Sequence, residues 1–138
     1  MVDASDQAKE ALIDAAVELA ERRYHDVEPA QTEEWIRGYY GRVAPQDLEG
    51  KQPIDLYAAA VRHFQLAQDR PSDSALVRVY NPRVDDDGWT SPHTVVDIVC
   101  PDMTFIVDSV LAMLESRDLR VHVLAHPLAA VQRDAQGR

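Results

Sequence analysis

One change of hydrophobic period, near Arg70, Pro71, Ser72 and Asp73, constrains this chain more than any other feature. Upstream of it, apolar residues recur every three to four positions, as the buried stripe of an α-helix requires; downstream they gather into short β-branched runs. A single switch of this kind predicts an α+β chain in which helices come first and an antiparallel sheet follows. The expected division is an N-terminal helical segment, 1–72, and an α+β unit, 73–138. With 138 residues, 46% of them hydrophobic, the chain can bury one core and has no room for a second large domain.

Three helices are expected in the first half. Ser5 is a candidate N-cap for a helix with the stripe Ala8, Leu12, Ala15, Ala16 and Leu19, its acids Glu10, Asp14, Glu18 and Glu21 lying elsewhere. A second helix follows Thr32, carries Trp35, Ile36, Tyr39, Tyr40 and Val43 into the core, and is ended by Pro45. A third starts at Pro53, where a missing N–H costs nothing, buries Leu56, Ala60, Phe64 and Ala67, and stops before Pro71.

The second half reads as strand, strand, helix, strand. The run from Ala75 to Asn81 suits a strand, and a hairpin-like connection through Pro82, the solvated acidic turn Asp85 to Gly88 and Pro92 leads into a second, Thr94 to Cys100. Asp102 is a candidate N-cap for a helix from about Met103 to Ser116, whose apolar face Ile106, Val107, Val110, Leu111, Met113 and Leu114 should cover the sheet. Leu119 to Ala125 reads as a third strand, and Leu128 to Arg133 as the outgoing arm of a further hairpin whose return strand is missing. This order is the latter part of a ferredoxin-like βαββαβ arrangement.

Several kinds of chemistry are disfavoured by residue content. A formal net charge of -10 argues against a nucleic-acid surface, which needs clustered Lys and Arg. The five glycines are dispersed, so neither a GxGxxG turn nor a phosphate-binding loop is present. The acidic turn lacks the alternating ligands of a calcium loop. On a strand, His122 and His126 would stand about 13 Å apart, too far to share an ion. The lone Cys100 cannot form an internal disulfide and reads as a small buried apolar residue. No secretory start or run of roughly 20 apolar residues occurs, so neither a membrane nor an oxidising compartment is expected, and a cytoplasmic location is.

The stretch Asp102, Met103, Thr104, Phe105, Ile106, Val107, Asp108, Ser109 holds the most functional information. Phe105, Asp108, Ser109 and Ala112 fall opposite the apolar face, beside a helix N-terminus whose free N–H groups suit a partner or an anionic ligand group. Packing of Phe105 on the N-terminal helices, with Asp108 merely solvated, is the competing reading.

That stretch also carries a family resemblance. Tyr80-Asn81-Pro82, the run from Gly88 to Val96, the run from Pro101 to Ser109, His126-Pro127 and the end from Arg133-Asp134 to Gly137 resemble the extreme N-terminal region of the large bacterial NAD-specific glutamate dehydrogenases. Tyr39-Tyr40 and Leu56 to Ala59 fit the same region. Thr104 stands where the family pattern has proline, and Cys100-Pro101 where polar residues are common. The resemblance implies an ACT-like module that regulates or assembles a parent enzyme, with NAD and the catalytic domain far downstream and no cofactor in this segment. The residues agree on one point: glutamate dehydrogenase chemistry needs lysines gathered in a cleft, and Lys9 and Lys51 are the only two here. The expected partners are other domains of the parent chain and further copies of this one. Asp102, Met103, Thr104, Phe105, Asp108, Ser109 and His126 are the candidate ligand or interface residues. An amino-acid effector bound near Asp102 to Ser109 is the alternative role.

Overall fold

A computed structural model of the chain describes residues 3–68 and 74–127. Three helices, α1 (Ala4–Arg23), α2 (Pro29–Tyr40) and α3 (Pro53–Gln68), with a 3₁₀ turn at Pro45–Leu48, make the first half. Strand β1 (Leu76–Tyr80), the one-turn helix α4 (Val84–Asp87), strand β2 (Val95–Val99) and helix α5 (Ile106–Ser116) follow. The α+β order read from the sequence therefore holds.

The helical half forms because its apolar stripes meet. Ile13, Ala16, Val17 and Ala20 of α1, Ile36, Tyr39 and Tyr40 of α2, Val43, Leu48, and Leu56 and Ala60 of α3 close one continuous core. Fully burying side chains such as Ile13, Ile36 and Leu56 stabilises the fold by about 1.5–3 kcal/mol each. The polar tips of the α2 aromatics are satisfied by α3: Tyr40 Oη donates to the Leu56 carbonyl at 2.7 Å, and Trp35 Nε1 to that of Ala60 at 2.8 Å. Lys9 reaches from α1 to donate to the carbonyls of Gly41 and Val43 just beyond α2, at 2.9 and 2.7 Å. These are acceptors that the helix leaves free.

Helix starts differ from the sequence reading where capping residues compete. Asp3, not Ser5, precedes α1, and Ser5 Oγ donates back to Asp3 Oδ2 from inside the first turn. The buried stripe of α1 is turned by one residue from the expected one, so Ile13 and Val17 are buried while Ala8 is exposed. Pro29, at the first position of α2, starts that helix ahead of Thr32, whose hydroxyl donates to the Glu28 carbonyl. The helix ends at Tyr40, and Pro45 opens the 3₁₀ turn instead of terminating α2. Pro53 starts α3 as expected, and Asp55 accepts a hydrogen bond from the Gln52 N–H at 3.0 Å, one half of a capping box. Phe64 and Ala67 are only half-buried.

Strands β1 and β2 pair antiparallel, with Leu76 opposite Val99, Arg78 opposite Asp97 and Tyr80 opposite Val95. The connection is not a plain solvated turn. Val84–Asp87 closes one helical turn that Gly88 ends with φ 79°, and Asp87 turns inward to Arg62 and the Arg83 N–H. Among the described residues the sheet has these two strands only. Leu119 to Ala125, expected as a third strand, forms none: it pairs with no strand, and its contacts are instead side-chain ones, with Val123 and Ala125 packed against the helical core. The element leaning on the sheet is α3, against β2; α5 buries no residue fully and covers the sheet less than its apolar face predicts. Leu128 to Arg133 lies outside the described residues, as do Arg70 to Asp73.

Candidate functional site

The approach to α5 departs from a capped helix start. Phe105 takes the N-cap position with φ 63° and ψ 14°, in the left-handed region, and no side chain caps the helix. Asp102 thus lies four residues ahead of Ile106, out of range of the first free N–H groups, and is exposed instead of capping. The left-handed turn throws the Phe105 ring outward, 72% exposed, beside half-exposed Met103. Thr104, Asp108, Ser109 and Ala112 are exposed as well, so the face opposite the apolar stripe is indeed the outer one. A non-glycine residue in this conformation costs roughly 1–2 kcal/mol. An aromatic ring left in water adds no burial to offset that cost.

His126 is exposed, and among the described residues no hydrogen bond or ring contact joins it to the α5 start. His122 stacks on His93, ring centroids 3.8 Å apart and nearly parallel. Because the segment is not a strand, strand spacing no longer decides the geometry of His122 and His126. Face-to-face rings on His93 and His122 do not converge on a common ion. Cys100 is half-buried.

The outer side of the hairpin is apolar. Val77 and Val79 are 62% and 63% exposed, and the register sets them opposite Ile98 and Val96. Together the four make a β-branched block of a kind that sheets normally bury.

Its inner side carries a polar junction that sequence reading missed. Asp97 is 3% exposed, and Arg78 Nη2 donates to its Oδ2 at 2.6 Å. The Arg78 guanidinium also lies 4.4 Å over the Tyr80 ring. From α3, His63 Nε2 reaches the Ile98 carbonyl at 3.1 Å; a carbonyl only accepts, so Nε2 carries the proton. In the neutral ring Nδ1 is then an acceptor, and Tyr39 Oη donates to it at 2.9 Å. Asp97 Oδ1 stands 3.7 Å from the same Nδ1. Burial, reinforced by the Asp97 charge, pushes the phenols of Tyr39 and Tyr80 above the ordinary tyrosine value. The Arg83 N–H and then Arg62 hold the Asp87 carboxyl below the ordinary value. The signals in the sequence were a lone carboxylate inside Val95, Val96, Ile98 and Val99, and a lone guanidinium inside the facing run.

Helices followed by an antiparallel hairpin and a further helix, with an apolar outer sheet face, define an α+β, ACT-like module. A family model described as the glutamate dehydrogenase ACT1 domain matches residues 35–138, and the chain belongs to that family. It is 32% identical over 133 residues to an NAD-specific glutamate dehydrogenase of Halomonas elongata, covering 94% of this chain and 8% of that protein. It is also 32% identical over 99 residues to the NAD-specific glutamate dehydrogenase of Pseudomonas aeruginosa, covering 72% of this chain and 6% of that protein. The chain therefore spans under a tenth of the length of either relative. No solved structure matches. Among the described residues no helix is long and apolar enough to cross a membrane.

Proposed function

We propose that the chain is the N-terminal regulatory and assembly region of a large NAD-specific glutamate dehydrogenase, non-catalytic by itself. Its work is docking onto other domains of the parent or onto further copies. The parent reaction is oxidation of glutamate with NAD and water to 2-oxoglutarate, ammonia and NADH, and NAD binds outside this segment. One observation carries the docking reading: Val77, Val79 and Val96, flanking half-buried Ile98, and the outward Phe105 leave large apolar side chains in water beside a well-closed helical core. Such surfaces mark interaction sites. The non-catalytic reading draws support from Lys9, which is occupied holding the end of α2 to α1.

The test is assembly. Light scattering on the chain and on the parent enzyme should show association that Phe105→Ala or Val79→Lys weakens. A strictly monomeric chain, together with unchanged assembly of a Phe105→Ala parent, overturns the proposal.

A further inference from the structure

We infer that the β1–β2 hairpin opens from the helical layer as a separate unit, and that His63 is the latch that holds it closed. The contrast between the two halves carries this. Within β1 and β2 the only buried residue is Asp97, and no side chain of either strand joins the apolar core that unites α1, α2 and α3. Pro82 and Trp89 of the strand connection are buried as well, and neither belongs to that core. Apolar packing therefore makes α1 to α3 one cooperative layer, whereas the inner-face residues Leu76, Tyr80, Val95 and Val99 of the hairpin are only half-buried.

What ties it is polar. His63 donates from α3 to the Ile98 carbonyl at 3.1 Å, and its other nitrogen is held by Tyr39 at 2.9 Å with Asp97 nearby. Trp35, edge-on to the ring at 6.4 Å, completes the setting on the helix side. At the strand connection, Arg62 of α3 meets Asp87 at 3.0 Å, partly in solvent. The hairpin remains closed on itself when it leaves, since Arg78 bonds Asp97 across the ladder and stacks on Tyr80. Opening thus breaks the His63–Ile98 hydrogen bond and the Arg62–Asp87 pair, and parts the stack of His93 on His122. A contact made on the outer valine block could act through this joint on α2 and α3, but the joint itself does not depend on the docking reading.

Amide hydrogen exchange on the whole chain tests it. In the unaltered protein, β1 and β2 amides are expected to exchange at least about tenfold faster than those at the centres of α1, α2 and α3. His63→Ala should speed the hairpin by roughly a further fivefold to tenfold, the worth of one or two hydrogen bonds, and leave the helix centres unchanged. His63→Gln, which keeps a donor near the position of Nε2, should restore most of the protection. Hairpin and helix centres exchanging together in the unaltered chain would overturn the inference, even if His63→Ala proved too unstable to study. So would a hairpin indifferent to His63→Ala, or acceleration of both halves alike.

Discussion

Arg78 and Asp97 stand directly opposite each other in the antiparallel ladder, and their side chains meet at 2.6 Å on its inner side. Removing the acid leaves a partly buried guanidinium without its acceptor and takes one charge from beside His63. Asp97→Ala is therefore expected to destabilise the chain by about 1–3 kcal/mol, discounted from a fully buried pair because Arg78 retains some solvent. Asp97→Asn, which keeps an acceptor oxygen, should cost less. Urea unfolding followed by circular dichroism measures both; equal costs would mean that charge, not hydrogen bonding, dominates the pair.

Alkaline pH should unfold the chain through its buried phenols. Burial is the first cause holding Tyr39 and Tyr40 above the ordinary tyrosine value, with neighbouring acids and phenols adding to it. A group whose folded pKa is raised contributes stability that is complete below the unfolded pKa, about 10 for tyrosine, and is lost as pH climbs from there towards the folded value. Stability should accordingly be insensitive to these groups near neutrality and fall steeply above about pH 10. Tyrosinate absorbance rising together with loss of helix signal is the expected trace, and Tyr40→Phe should make the alkaline decline shallower. Ionisation of every tyrosine before any helix is lost would contradict it.

The helical half was legible because its signal is redundant: Ile36, Tyr39, Tyr40 and Val43 repeat at helical spacing, and a proline stands at the start of α3. Starts were misjudged where two polar residues competed, as Asp3 with Ser5, since either can cap and only packing of the stripe selects the register. Leu119 to Ala125 has the alternation of a strand, yet a strand also needs an edge to pair with, and sequence pattern does not say whether one is within reach. The polar junction was hidden for another reason. Tyr39, His63, Arg78 and Asp97 come from four elements, and nothing local couples them until α3 lies against β2.

Lys9 supports a prediction about the helix layer. Its ammonium holds two carbonyls at the end of α2, a bridge between α1 and the chain leading to the 3₁₀ turn. Lys9→Met keeps the stem and deletes the charge, and should lower stability by roughly 1–2 kcal/mol, a charge-assisted bond discounted for partial exposure. Lys9→Arg should recover part of it. A thermal shift within experimental error for Lys9→Met would show that water replaces the ammonium at no cost.

Phe105 separates a residue kept for stability from one kept for contact. Its backbone sits at φ 63°, a conformation glycine adopts freely and a β-carbon disfavours, while its ring is mostly in solvent. Replacing a residue there with glycine relieves the strain, although glycine loses more backbone freedom on folding. The balance favours Phe105→Gly by about 0.5–1 kcal/mol in the isolated chain. The same change deletes the outward ring, so a docking role predicts weaker assembly of the parent enzyme despite a more stable module. Chemical unfolding of the chain and light scattering of the parent read the two effects independently. If Phe105→Gly destabilises the chain by more than about 1 kcal/mol, the ring is packed rather than presented, and its place in the docking surface is lost.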